Sequence, residues 1–369
     1  FGSRCLPLHG NAANRLPMFH IVFLHIASKS FFLLVSLYAV TPSAVVFAGK
    51  ESFLGERVSA VFEDVSSTAR LSKKQLSQCS FEVVMFDTRN LTDVPSFEDK
   101  LIPDQYQSLT AVINYAYSKH HGYDFNFVHI DKGDLMPHFS IPWHRVFYFS
   151  EKIKKMEHDD ACKWFLYVDT DAFVRGFTTP LDEFIGEMSS KYDINEDVGA
   201  IFAQEQLHLP EMTWTLHAVN AGVYLVHANQ KSQRLFNTWV AAASDDLELE
   251  TTWPAEQGVL TELVFPGKFV TRLGAKLPDG RHAGAHARLS HHEDISHDLA
   301  LVNMTEMNSP WGWFVEHVWS GPGWEKRGTD YMEMLESIDA ARPDRFASLL
   351  SEVRNHISTW VPHASASGK

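Results

Sequence analysis

The chain has 369 residues, 45% of them hydrophobic and 21% charged, enough for one large α/β domain or two medium ones around a buried core. Its formal charge of −14 excludes the clustered basic surface that nucleic-acid binding requires, so nucleic acid is not an expected partner. Three cysteines are too few for a disulfide scaffold or a cysteine-built zinc module, while 20 histidines supply groups that titrate near neutrality.

Near the N-terminus, residues 30–49 (SFFLLVSLYAVTPSAVVFAG) carry no charge and approach the roughly 20 residues that span a bilayer. Arg4, Arg15 and Lys29 precede them with no Asp or Glu, which keeps residues 1–29 cytosolic and sends the C-terminal remainder of the chain to the lumen. The segment reads as a signal anchor, giving a single-pass type II membrane protein. It reads equally as a cleaved signal peptide, because residues 31–40 are short, Pro42 interrupts them and VFA precedes Gly49. A buried core helix is the bland alternative. Met18 can serve as initiator, residues 1–17 then being translated leader. Sequons at Asn90 (NLT) and Asn303 (NMT) agree with a lumenal location. Residues 50–78 are polar and weakly periodic, a stem leading to a folded domain over 79–369.

From residue 81 apolar runs alternate with helical stretches, the pattern of a mostly parallel sheet covered on both faces. The predicted strands are FEVVMF (81–86), FNFVHI (125–130), WFLYVD (164–169), VGAIFA (198–203) and AGVYLV (221–226). Between the second and third, Val146, Phe149, Ile153 and Met156 recur at helical spacing, with Lys152, Lys154 and Lys155 on the solvated face. Further helices are expected at 230–243 and 255–265, a long loop at 274–298, and a helical cover at 330–358.

The line WFLYVDTDAFV carries the chemistry. A buried strand stops at Asp169-Thr170-Asp171, and apolar residues resume at once. Ligands of open α/β sheets bind beyond the carboxyl ends of the strands. Two carboxylates placed there repel each other unless they share a cation, and hard ions such as Mn²⁺ or Mg²⁺ commonly complete an oxygen shell with substrate phosphates. The alternative is an Asp-rich surface turn, which the apolar flanks oppose. HHEDISH (291–297) is not a zinc-protease helix, since His292 and His297 stand five apart where that motif needs four. His282, His286, His291 and His292 read as an accessory metal site or as a solvated loop. No phosphate loop of the G-x-x-x-x-G-K-[ST] or G-x-G-x-x-G type is present, which removes the usual nucleotide hydrolases and dehydrogenases.

VDTDAFV resembles the DXD strand of GT-A nucleotide-sugar transferases. More narrowly, the chain resembles glycosyltransferase family 34, the retaining family of plant xyloglucan xylosyltransferases, galactomannan galactosyltransferases and fungal Golgi mannosyltransferase subunits. Further segments come in order: HGYDF (121–125), IPWHRVFYF (141–149) with Trp143 and Arg145, NAGVYLVHANQKSQRLFNTWV (220–240), AEQGVL (255–260) and FVEHVWSG (314–321). Together they span residues 81–321. Two places depart from the family pattern. Ile113-Asn114-Tyr115 stand where a basic residue is usual, and the Lys that often comes after the late His is absent, with Pro322 near its place and Lys326 or Arg327 further on.

The resemblance implies a single Rossmann-like GT-A domain with a mostly parallel sheet and a C-terminal helical cover. It implies a metal-dependent retaining glycosyltransferase of the Golgi membrane, or of the ER or Golgi lumen or secreted if the leader is cleaved. Such an enzyme would move a hexose or pentose from a nucleotide-sugar donor to a glycan or glycoprotein acceptor. A non-catalytic GT-A-like subunit of a transferase complex is the alternative, and hetero- or homo-oligomers are left open. Asp169 and Asp171 would hold Mn²⁺ (or Mg²⁺) and the donor, with His317 as a third metal ligand. Arg145 or Lys326 would neutralise the donor phosphates. Asn220, Ala221 and Gly222 would let backbone approach the sugar, unless the glycine serves strand packing. Glu256 and Gln257 would lie beneath the transferring sugar, with complementing the helix dipole as the other reading of Glu256.

Cys79 and Cys162 each precede a strand by two residues, FEVVMF and WFLYVD. In a GT-A sheet these strands are parallel neighbours, which would bring the two cysteines to one edge within disulfide reach. Two separate buried thiols are the favoured reading, with the bridge as the alternative.

Overall fold

The computed structural model describes residues 71–93, 105–156, 162–207, 216–243, 245, 255–265, 289, 291–318 and 327–362. All fall in one compact unit, Ser66–Lys369, and the expected leader and apolar segment lie outside the described residues. Among the described residues no helix is long and apolar enough to cross a membrane.

The strands among the described residues are β1 Ser80–Asp87, β2 Asp124–His129, β3 Lys163–Val168, β4 Ala172–Val174, β5 Ala200–Leu207, β6 Leu216–His227, β7 Leu299–Asn303, β8 Met307–Ser309, β9 Val315–His317 and β10 Ile357–Thr359. The helices are α1 Lys73–Leu76, α2 Tyr106–His121, α3 Ile141–Lys155, α4 Leu181–Tyr192, α5 Gln230–Ala242, α6 Ala255–Val264, α7 Arg327–Ser337 and α8 Pro343–Arg354. Seven strands form the central sheet in the order β10-β2-β1-β3-β6-β5-β7, and β4-β9-β8 form a small second sheet. The central sheet is parallel except at β6, which runs antiparallel to both β3 and β5.

The central strands read as unbroken apolar runs because both faces are buried. In β1, Val83 and Met85 enter one core with Leu109 of α2 and Phe184 of α4. Val84 and Phe86 point oppositely, to a second core with Val146 and Phe149 of α3 and Phe236 of α5. Each predicted strand is found. Helices α2 and α4 and strand β10 were not expected. α2 lacks a clean stripe because it is enclosed between sheet and cover, burying Gln107, Ser108, Thr110 and Asn114 with its apolar residues. The expected helical cover is two helices, α7 and α8, followed by the edge strand β10. Leu71 and Leu76, placed by sequence in the stem, are buried in the core, so residues 71–78 belong to the domain.

The His-Gly-Tyr segment is a fold element. Gly122 takes φ +73 at the end of α2, the left-handed turn that glycine adopts without penalty. His121 Nε2 donates to the Phe177 carbonyl at 2.8 Å, and the Tyr123 hydroxyl accepts from Leu181 N at 2.9 Å.

Cys79 and Cys162 are joined in a disulfide, with Cα atoms 4.5 Å apart. β1 and β3 pair in parallel from Ser80 opposite Lys163, which sets the cysteines side by side at the start of both strands. The bridge closes a separation of 83 residues at the edge opposite Asp169. Replacing both cysteines by alanine is expected to cost about 2–4 kcal/mol in urea unfolding while leaving donor binding intact, and peptides from non-reduced digests should carry the bond.

Candidate active site

The site forms where the chain passes from the large sheet to the small one. β3 ends at Val168, the DTD turn closes with Ala172 N donating to the Asp169 carbonyl at 2.9 Å, and β4 begins. Register then assembles the ligands. Ala172 pairs with His317 of β9, which sets His317 beside Asp171. Asp169 N donates to the Gly222 carbonyl at 2.9 Å, which sets β6 beside Asp169.

The turn is held from α2 and α7. Thr110 Oγ1 donates to the Thr170 carbonyl at 2.7 Å and Asn114 Nδ2 to the Ala172 carbonyl at 3.1 Å. Asn114 Oδ1 accepts from Val174 N at 2.9 Å, and the Tyr331 hydroxyl donates to the Asp171 carbonyl at 3.1 Å. Asn114, one of the three residues standing where the resemblance implies a basic one, thus serves the backbone of the turn.

The Asp169 Oδ1 atom accepts from the Arg145 guanidinium and from the Tyr167 hydroxyl. Its other oxygen, Oδ2, lies 3.9 Å from His317 Nε2. Asp171 Oδ1 lies 2.9 Å from the same nitrogen. One ligand atom from each of Asp169, Asp171 and His317 falls within 4.8 Å of the others.

A chain of contacts fixes the tautomer of His317. Asn308 Nδ2 donates to the backbone carbonyl of Asn220 at 3.2 Å and to its Oδ1 at 2.8 Å, which turns Asn308 Oδ1 toward His317 Nδ1. Nδ1 must therefore carry the proton, leaving the Nε2 lone pair facing Asp171. Lone pair and carboxylate at 2.9 Å repel unless a cation lies between them. Burial opposes protonation of His317, yet Asp171 and Asp169 outweigh it and its pKa is raised. A divalent ion meets the same demand, so these residues fit one.

Two irregularities aim these groups. Asn308 sits at a shift in the β8–β9 register with φ +81, a conformation asparagine tolerates better than most residues. In β6, Phe202 pairs with Tyr224 and Ala203 with Asn220, so residues 221–223 bulge away from β5. The N–H groups freed by the bulge are met by side chains: Ala221 N by Gln257 Oε1 at 3.0 Å and Gly222 N by Asn220 Oδ1 at 2.9 Å. A Cβ on Gly222 would stand 2.3 Å from His317 Cε1 and 2.9 Å from Asp169 Oδ2, so close approach of backbone to the ligands requires glycine here. Asn308→Ala, which frees the His317 ring, is expected to weaken Mn²⁺ binding about 10–100-fold. Calorimetric titration checks this.

Arg145 and Glu256 form a buried pair beside Asp169. Arg145 is buried, its guanidinium joined to Asp169, Glu256 and the Tyr167 hydroxyl. Glu256 was expected against sugar hydroxyls but is only 3% exposed and ion-paired with Arg145. Burial pushes the Glu256 carboxyl up and Arg145 pulls it back, leaving it raised. Gln257 is beside the site, holding the Ala221 bulge. Lys326 lies outside the described residues.

Sequence reading missed Tyr167, Asn308 and the Asp87–Arg89 pair. Arg89 Nε donates to Asp87 Oδ1 at 3.0 Å, its NH2 donates to Thr170 Oγ1 at 3.0 Å, and the guanidinium lies over the Tyr106 ring. The available signal was FEVVMFD, which ends in Asp as WFLYVD does on the neighbouring strand.

The α/β sheet thus gathers two carboxylates and a histidine beyond its strand ends. Residues 103–301 match the galactosyl transferase GMA12/MNN10 family. The chain belongs to this family and is a glycosyltransferase, with the α/β fold that the GT-A resemblance implied. Among solved structures it is similar to a glycosyltransferase involved in glycosylation of the major capsid of PBCV-1, at 15% identity over 69% of this chain and 99% of that one, TM-score 0.41. It is also similar to galactosyltransferase LgtC with donor and acceptor sugar analogues, at 13% identity over 73% of this chain and 95% of that one, TM-score 0.29. No curated protein sequence matches.

Proposed function

We propose that the chain is a metal-dependent, retaining hexosyl- or pentosyltransferase using a nucleotide-sugar donor and a glycan or glycoprotein acceptor in the secretory pathway. The observation that carries this reading is the Asp169–Asp171–His317 cluster, with His317 Nε2 turned toward both carboxylates. A divalent ion bound there, Mn²⁺ or Mg²⁺, supplies Lewis-acid neutralisation of a departing diphosphate. Asp169 is oriented for this by Arg145 and Tyr167, and His317 by Asn308. The bulge at residues 221–223 brings backbone rather than side chain to the donor, and Gln257 fixes its shape. The Cys79–Cys162 bridge suits an oxidising lumen, and Asn90 and Asn303 are both exposed, as glycosylation requires.

The purified protein, incubated with UDP-galactose, UDP-xylose or GDP-mannose and Mn²⁺, is expected to hydrolyse or transfer one of them, and EDTA should stop it. NMR of the isolated glycoside should show an α-linked product from the α-linked donor. A β-linked product would remove the retaining assignment, and equal rates in EDTA the metal.

A further inference from the structure

A second ligand cluster lies apart from these residues. Asp245 comes just after the C-terminal end of α5, and His291 and His292 belong to a segment anchored by Leu289 and Ile295, both buried in the α3–α5 core. His292 N donates to the Leu289 carbonyl at 3.1 Å, and Arg234 NH1 of α5 lies 3.6 Å from Glu293. The segment is therefore tied down on both sides of the histidine pair.

Both imidazoles turn Nε2 to one atom, Asp245 Oδ2. His291 Nε2 is 3.3 Å from it, His292 Nε2 is in closer contact, and one ligand atom from each residue falls within 4.8 Å of the others. Zinc bonds of about 2.0–2.1 Å to nitrogen and oxygen give a tetrahedral edge near 3.3 Å. The His291–Asp245 pair already has that spacing, and His292 needs only a small outward movement. Two nitrogens and one carboxylate suit zinc, whereas Mn²⁺ and Mg²⁺ favour oxygen-rich sets such as that built on the DTD turn.

We propose that Asp245, His291 and His292 bind a zinc ion that clips residues 291–295 to the end of α5, separately from the donor site. Three protein ligands leave one tetrahedral position open, and the ion would join two segments that the sequence holds more than forty residues apart.

The test uses the full chain, stripped by chelator, held in excess Mg²⁺ and titrated with Zn²⁺. Wild type should take up a zinc equivalent that both His291→Ala and Asp245→Asn weaken by at least about tenfold, since losing a ligand costs no less than losing a group that merely orients one. His291 is 63% exposed, so its truncation removes little packing beyond its ring contact with His292, and the metal-free melting temperature serves as the control. Zinc should raise the melting temperature of wild type and not of either variant. Equal zinc affinity in wild type and variants overturns the proposal. So does loss of the equivalent in His317→Ala with its retention in His291→Ala, which would place the zinc in the donor site.

Discussion

Asp171→Ala is expected to lower transfer by about three orders of magnitude, roughly 4 kcal/mol of lost transition-state stabilisation. The backbone around it should not move, because the Thr170, Asp171 and Ala172 carbonyls remain held by Thr110, Tyr331 and Asn114. His317 keeps its orientation through Asn308. What disappears is one negative ligand opposite the donor diphosphate. Initial rates at saturating Mn²⁺, with circular dichroism as the fold control, measure the effect. Near wild-type turnover in this variant would show that the donor is not held here. Asp169→Ala should lose as much activity but is a less clean experiment, since it also strips a partner from the buried Arg145.

The largest stability effect is expected at Arg145. This guanidinium lies between Asp169 and Glu256, and Glu256 is almost fully buried. Arg145→Met fills similar volume but leaves a buried carboxylate without its cation, at a cost of about 3–5 kcal/mol. The loss should depend on pH with a definite sign. Burial raises the Glu256 pKa and Arg145 opposes that rise, so removing Arg145 raises it further. A group whose folded pKa is raised binds more protons folded than unfolded, and stability then falls as pH rises. The deficit against wild type should be smallest below the ordinary carboxylate range, at about pH 4, and grow toward neutrality. Adding Glu256→Gln should recover most of it. Urea midpoints for the three proteins across pH decide this, and a deficit flat with pH would show that packing, not charge, is what Arg145 supplies.

The legible parts of the chain were those where chemistry and periodicity are local. WFLYVDTDAFV announced a buried strand ending in a ligand-bearing turn, and β3, the turn and β4 lie as read. The disulfide was legible as an alternative because parallel pairing conserves offset: equal distances from two strand starts become adjacency in space. α2 was not legible, since its buried Thr110 and Asn114 satisfy backbone groups 58 to 60 residues away, and such residues look like solvent-facing ones in a linear pattern.

The division within the site has the same cause. Sequence by itself determined which side chains were chemically fit: two carboxylates and an imidazole for a cation, a glycine for close approach. Tertiary structure alone decided which of them face the site and which stand behind it. Arg145 and Glu256 carry charge suited to donor and sugar, yet the packing of α3 and α6 under β3 and β6 buries them as a mutual pair. Asn308 carries no signal of its own, but a register shift in β8 makes it the residue that sets the His317 proton. Residue type states what a group can do, and burial and register, which depend on contacts across the whole chain, state where it does it.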